Sequence, residues 1–430
     1  MKYTHLFLAG LVWIGVTGAA TRADEPESYM RVVEVDATTA KLEIAARRFV
    51  PAHGAGPTIW LTGVIHIAEP DYYTTLQKHL DAQDRVLFES VGWPPFADPR
   101  PATDGEDQLE RTKTAQRYIA ERLERYKAEH NAYPKTLDEL AASLDPDEQK
   151  MATGLLRAAR SDGWGRPMRY APADDDYDII SLGADGKTGG QALNADVHFA
   201  DQPPLTAAEI ADSHNLQSTM ATALKLVFQL DSINYDRPTF INSDIPMRKL
   251  ADAVSESGGG DPEMRQLMKT LDGTSMLAGI VQFGLKLVAM SPKFQSMGRL
   301  VLIEMLGRLK GDISTMAGLP PSMQELMRRL VHDRNKIVIS DLRQTLAEAD
   351  PPQTISVFYG AGHMHDLQNR LEDELGYRPA ETVWYPAITE DAKAAGLTKQ
   401  DVEVVRGLIK YQFYQMKMMQ QARDAAEAGH

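Results

Sequence analysis

The sequence predicts an α/β fold. Two pseudo-symmetric βαβ halves form one sheet, a helical region lies between them, and a small α+β domain is inserted after the first half. Three observations predict it. Two apolar runs, 58–63 and 354–359, each end in Gly-x-x-His and are each followed by an amphipathic helix and a further strand. Residues 206–350 carry mostly helical periodicity. Residues 131–200 instead carry Gly/Asp turns at short intervals, the pattern of short strands.

Composition sets the limits. The chain has 430 residues, a formal net charge of −14, 43% hydrophobic residues and no cysteine. That balance is globular and the length exceeds one small core. The acidic charge argues against a broad nucleic-acid or anionic-membrane footprint, because both need a basic face. Absence of cysteine excludes disulfides, thiolate zinc sites, cysteine nucleophiles and a lipidated-cysteine anchor.

In chain order, residues 1–23 read as a secretory signal. Lys2 precedes an apolar run over 6–16, and small residues follow up to Ala23 before Asp24-Glu25. The run is too short for a comfortable span, so export to the periplasm or outside is expected, with no stable span after cleavage; an uncleaved anchor is the alternative. Residues 24–106 make the first half. A hairpin over 30–50 turns near Asp36-Ala37-Thr38, a buried strand covers 58–63, Pro70-Asp71 opens a helix to about Leu80, and a second buried strand covers 85–89. The Pro/Gly-rich stretch 92–106 marks a boundary.

Residues 107–200 form the insert, opened by a helix over 113–130 with Ala115, Tyr118, Ile119, Leu123 and Tyr126 on its apolar face. Residues 201–387 hold the helical region and the second half: strand 354–359, helix 366–375, strand 382–385. Within them 257–262 reads as a flexible loop, and 276–290, apolar but short and interrupted by Lys286, as core. Residues 388–430 are a helical tail whose Tyr411, Phe413, Met416, Met418 and Met419 are expected to dock on the body.

The duplicated Gly-x-x-His carries the chemistry. Two such halves paired about a pseudo-dyad place His66 and His363 at strand C-termini, the edge where open α/β sheets bind ligands. Glu89 closes the first copy; the same offset in the second lands on Pro386. Two imidazoles and one carboxylate make a metal set with positions left for water. Glu89 reads equally as a ligand or as a general base on that water. One four-residue motif alone would signal only a capping or packing histidine; duplication in one context is what raises it. Arg334 either orients Glu89, binds a substrate carboxylate, or pairs with Asp341 on a solvated helix face. His365 is a further ligand or a surface residue. No Gly-x-Ser-x-Gly elbow, P-loop or dinucleotide fingerprint occurs.

Together, Gly63-Val64-Ile65-His66, Glu89, Arg334-Asn335 and Gly360-Ala361-Gly362-His363 resemble the TraB/GumN/Tiki family, as does 230–244 (LDSINYDRPTFINSD). The resemblance covers about 24–91 and 205–387. It implies an α/β core with a two-half sheet and, for the animal members, a divalent-metal (manganese or cobalt) peptidase; some bacterial members are tied to peptide signals.

Residues 112–199 resemble a different family, the C-terminal part of the type II secretion major pseudopilin (GspG). The matching pieces are Tyr133-Pro134, Asp162-Gly163-Trp164-Gly165-Arg166-Pro167, Ser181-Leu182-Gly183-Ala184-Asp185-Gly186 and Asn194-Ala195-Asp196-Val197. The resemblance implies a calcium loop, with Asp185 and Asp196 as side-chain ligands and Leu182 as a carbonyl ligand, chemistry suited to hard oxygens. Ala195 stands where some pseudopilins have a second acid. The pseudopilin's N-terminal hydrophobic helix has no counterpart in the resembling stretch, so a filament-subunit role is not expected.

The expected function is an exported metal-dependent hydrolase of a peptide or protein substrate. His66 and His363 hold the metal, Glu89 is ligand or base, and Arg334 supports the site. The alternatives are a non-catalytic peptide or metal binder, and an envelope scaffold that meets a protein partner through the insert.

Overall fold

The structure, a computed structural model, describes residues 28–89, 94–98, 101, 102, 104–144, 150–173, 175–205, 221, 223–235, 237–245, 291–309 and 321–428. The expected signal segment 1–23, the loop 257–262 and the apolar stretch 276–290 lie outside the described residues. Strands β1 (Met30–Glu34) and β2 (Thr39–Pro51) form the expected hairpin. Its turn is set by Asp36, whose Oδ1 accepts the backbone N–H of Thr38 and of Thr39, each at 2.8 Å. Next come β3 (Thr58–Val64), β4 (Ile67–Ala68), α1 (Pro70–Asp81) and β5 (Arg85–Phe88). Pro70 opens α1 at a position where its missing N–H costs nothing, and Tyr72, Tyr73, Leu76 and Leu80 form its buried stripe.

Later in the chain β10 (Phe240–Asn242), β11 (Thr354–Gly360) and β12 (Tyr377–Asp391) complete a seven-stranded mixed sheet. Its order is β1-β2-β3-β11-β5-β10, with β12 on the other edge of β2. β11 pairs in parallel with both β3 and β5, so the second unit's first strand lies between the two strands of the first unit. β10 is parallel to β5. β12 and β3 are both antiparallel to β2, so β12 runs with β3 and β11.

Helix α1 therefore carries the chain from β3 across β11 to β5. The helix Met364–Leu375 carries it the opposite way, from β11 across β3 and β2 to β12. Right-handed crossovers in opposite directions must leave on opposite faces, and the core divides accordingly. The α1 side chains pack with Leu42, Val86 and Phe358. Met364, Leu367 and Leu371 pack on the other side with Leu61, Leu87 and Val357.

β12 is much longer than the expected 382–385. It is an edge strand, where proline is tolerated, and its pairing shifts register between Pro379 and Glu381 and between Pro386 and Ile388. Those breaks disguise a continuous strand as a short one.

A second packing unit has its own core. It contains α2 (Gly105–His130), α3 (Leu137–Ala142), α4 (Lys150–Ala159), β6 (Arg169–Pro172), β7 (Tyr177–Ser181) and β8 (Val197–His198). Ala115, Ile119 and Leu123 of α2 meet Tyr177 and Ile179 of the three-stranded antiparallel sheet. Asp162 ties the turn beneath α2, accepting from Trp164 N–H at 3.0 Å, Arg166 N–H at 2.9 Å and Ser181 Oγ at 2.6 Å. Gly163 sits so close to α2 that an added Cβ would fall 1.9 Å from Gln108 O. Gly163→Ala is accordingly expected to cost this unit at least about 2 kcal/mol, because backbone rather than a flexible side chain must yield; a calorimetric scan in which this unit melts unchanged would refute that packing.

Beyond this unit, β9 (Val227–Phe228) pairs with β4. The described helical region contributes α5 (Pro292–Leu306) and α6 (Pro321–Leu346), followed by α7 (Met364–Leu375) and α8 (Lys399–Ala428). Of the tail residues expected to dock, Tyr411 and Met418 do not. Val402, Val405, Arg406 and Ile409 are buried, spaced for one helical face, while Tyr411 and Met418 fall on the opposite face and are exposed. Phe413 is half-buried, and the side chains of Met416 and Met419 lie outside the described residues. Among the described residues no helix is long and apolar enough to cross a membrane.

Candidate functional site: the carboxyl edge of the parallel strands

Helices that leave neighbouring parallel strands toward opposite faces open a crevice at the strands' carboxyl ends. Here that point lies between β3 and β11. The four strands paired in parallel, β3, β11, β5 and β10, each deliver a polar residue to the same edge. His66 follows β3, His363 follows β11, Glu89 directly follows β5 and Asp244 follows β10. Gly360 makes room: a Cβ there would stand 3.3 Å from Glu89 Oε2. Its N–H donates to that oxygen at 2.6 Å.

Arg334, from α6, binds the acids together. Its Nε and Nη2 donate in a fork to Asp244 Oδ1 and Oδ2 at 2.8 and 2.6 Å, and Nη2 also reaches Glu89 Oε1 at 2.8 Å. All three side chains are buried. Burial works against the Glu89 carboxylate, but the Arg334 guanidinium first, then His363, His66 and the Gly360 N–H, outweigh it and hold its pKa down at about 2. Burial likewise works against the guanidinium charge, and Glu89 and Asp244 more than offset it. The fork is spent inside the protein, so Arg334 orients Glu89. Asp341, offered by the sequence as its partner, accepts instead from Ser243 Oγ at 2.6 Å.

The His363 tautomer follows from its neighbours. Asn335 Nδ2 donates to the His363 carbonyl at 3.2 Å and to Asp366 Oδ2 at 2.8 Å. Both partners are acceptors, which fixes the amide, so Asn335 Oδ1 faces His363 Nδ1 at 2.8 Å and that nitrogen carries the proton. The Nε2 lone pair is left 3.4 Å from Arg334 Nη1 and 3.7 Å from Glu89 Oε1. Burial, chiefly, pushes the His363 pKa down to about 4, so the ring is neutral at pH 7. Asp366 is held in turn by Arg370 at 2.7 Å and His332 at 2.9 Å.

His66 is gripped twice by Gln229. Its carbonyl accepts Gln229 N–H at 2.8 Å, and its Nδ1 lies 3.0 Å from Gln229 Oε1. Gln229 Nε2 donates to Tyr235 Oη at 2.9 Å, which ties the amide that holds the His66 ring. His66 lies near enough to Glu89 for its charge to act on that carboxylate. His365 instead faces Asn369 on the next turn, 3.4 Å away.

The four sequence-derived residues His66, Glu89, Arg334 and His363 thus meet at one sheet edge. Asp244, Asn335, Asp366, Gln229 and His332 are the partners that sequence reasoning gave no role; Asp244 and Gln229 lie in or beside the 230–244 segment, the only signal available for them. Both imidazoles have Nδ1 anchored, as metal-bound histidines do, while His363 Nε2 faces the Arg334 guanidinium. Donors about 2.1 Å from one ion stand about 3.4–3.6 Å apart, close to the His363–Glu89 separation of 3.7 Å. Among the described residues no three His, Asp or Glu side chains close around a single point. The His363–Glu89 pair alone has a spacing compatible with two donors to one ion; His66 is not brought to that same point.

In the second unit, Gly183, Gly186, Gly189 and Gly190 all have positive φ, giving a loop folded back on 193–196. Asp185 Oδ1 accepts Lys187 N–H at 2.9 Å, and Asp196 Oδ2 accepts Gly189 N–H at 3.0 Å. Asp196 Oδ1 is buried with no hydrogen-bond partner. A buried carboxylate oxygen without a partner is the kind of donor a hard cation takes.

Comparison with known proteins bears on this second unit. The family model described as Type II secretion system (T2SS), protein G matches residues 102–200. The chain is 38% identical over 87 residues to the type II secretion system core protein G of Pseudomonas aeruginosa, covering 18% of this chain and 61% of that protein. It is 32% identical over 82 residues to the protein of the same name from Vibrio cholerae, covering 17% of this chain and 56% of that protein. The chain therefore spans less than two thirds of either relative. No solved structure matches.

Proposed function

We propose that this chain is an exported, metal-dependent hydrolase that cleaves peptide bonds in a peptide or protein substrate, with His66, His363 and Glu89 holding a divalent ion such as manganese or cobalt. The supporting observation is the pair of imidazoles, each with Nδ1 anchored by a side-chain amide, beside a carboxylate on one sheet edge. When bound, such an ion lowers the pKa of its water toward about 7 and polarises a carbonyl. The chain's own residues do the positioning. Asn335 sets the His363 tautomer, Gln229 holds the His66 ring, and Arg334 and the Gly360 N–H fix Glu89. A carboxylate held at about 2 is a poor proton acceptor at neutral pH, which favours Glu89 as ligand over general base.

We read the two crossover units as halves related by an approximate dyad along the strands between β3 and β11, in keeping with the TraB/GumN/Tiki resemblance. Residues 107–200 are read as an inserted pseudopilin-like domain beside the crevice. The connection supports this: Asp98 Oδ1 accepts from Asn242 Nδ2 at 3.3 Å, at the carboxyl end of β10, and its carbonyl takes Arg111 of α2 at 3.1 Å. Its loop is proposed to hold calcium through Asp185, Asp196 and the Leu182 carbonyl. Its likeness to secretion-system proteins favours an envelope or exported setting and an envelope protein partner.

The test is purification with manganese or cobalt and a peptide library read by mass spectrometry. Wild type is expected to cleave, and His66→Ala and His363→Ala to lose cleavage. Peptide retention without turnover would instead identify a non-catalytic binder. The family match over 102–200 supports the scaffold as a second reading; it requires that deleting 107–200 abolish function in the cell while His66→Ala does not. Asn335→Leu frees the His363 ring, so manganese affinity is expected to fall about 10–100-fold with the fold intact, measured by calorimetric titration.

A further inference from the structure

Helix α8 presents an apolar stripe on the side away from the body. Val404, Leu408, Tyr411, Tyr414 and Met418 are between 44% and 61% exposed. Their spacing of three and four residues keeps them on one face. The opposite face is committed: Val402 and Val405 pack in the core with Leu300 and Ile303 of α5, and Arg406 Nε donates to the buried Glu304 at 2.8 Å. No charged residue occurs between Lys410 and Lys417, so the middle of the stripe lacks the charge that a solvated helix normally carries.

The stripe is symmetric about its centre. Val404 and Met418 lie seven residues either side of Tyr411, and Leu408 and Tyr414 three either side. A two-fold axis through Tyr411 therefore sets the stripe against itself antiparallel, with each residue meeting an apolar one, the self-complementarity an isologous contact requires. Over about 21 Å of helix, full burial of the five side chains from each copy removes about 1,000 Å² in total, the low end for a specific interface.

We propose that the chain forms an antiparallel homodimer through α8, with Tyr411 on the two-fold axis. This is independent of the hydrolase reading.

The absence of cysteine makes the register directly testable on the full chain. Tyr411→Cys is expected to give a disulfide-linked dimer on mild oxidation. Val404→Cys alone and Met418→Cys alone should not cross-link, whereas a mixture of the two should. Sedimentation equilibrium is expected to show a dimer for wild type and a monomer for Leu408→Glu, with unchanged circular dichroism. A wild-type monomer at about 100 μM would overturn the proposal. Stripe amides protected from exchange in such a monomer would point to cover by the chain's own 276–290 segment, and vesicle binding by it to a lipid surface. Self-cross-linking of Val404→Cys would overturn the antiparallel register.

Discussion

Arg334→Met is expected to cost the fold about 3–5 kcal/mol, because it strands two buried carboxylates that now share one cation. Glu89 and Asp244 both sit against that guanidinium, and neither is exposed enough for water to take its place. The pH dependence carries the sharper signature. In wild type Glu89 is held at about 2, below its ordinary 4.5. Its contribution is complete above about pH 4.5 and is lost as pH falls toward 2. Without Arg334 the strongest downward influence is gone and burial raises the carboxylate, so protonation should rescue the variant. Between about pH 6 and 4 its stability is expected to rise as pH falls. Denaturant titrations at several pH values measure both curves; parallel curves would show that the cluster is not coupled as described. Adding Glu89→Gln and Asp244→Asn to Arg334→Met should recover much of the loss.

Glu89→Gln separates chemistry from stability. Asp244 still pairs Arg334, and the amide oxygen can still accept the Gly360 N–H, so the fold should lose only about 1–2 kcal/mol. The ligand charge is lost, however. On the proposed function, manganese affinity should fall by at least about 100-fold and turnover by at least about 1,000-fold. Calorimetry reads the first without assuming a substrate, and kcat/KM reads the second. Unchanged manganese affinity would remove Glu89 from the ligand set while leaving the ion cluster's structural role untouched.

The two outcomes turn on partners that the sequence exposes unequally. Local patterning reveals β3, β11 and the helix after each, because apolar runs and Gly-x-x-His are contiguous. Sheet order is not contiguous information. That β11 inserts between β3 and β5 depends on packing both crossover helices at once, on opposite faces. The same holds for Asp244: its pairing with Arg334 spans 90 residues and leaves no periodic trace in either segment. Asn335, adjacent to Arg334, looked like a companion in a motif; its work of fixing the His363 tautomer appears only when α6 is laid beside the β11 exit. The tail shows the converse. Its apolar residues occur on both faces of α8, so composition signalled a docking helix but not which face docks.

Whether His66, Glu89 and His363 share one divalent ion is decided by manganese titration of the metal-free full chain, followed by the paramagnetic resonance of the free ion. Wild type is expected to bind one more ion per chain than His66→Ala and one more than His363→Ala, all three folded alike by circular dichroism. Equal stoichiometry in the three proteins would contradict a shared ion.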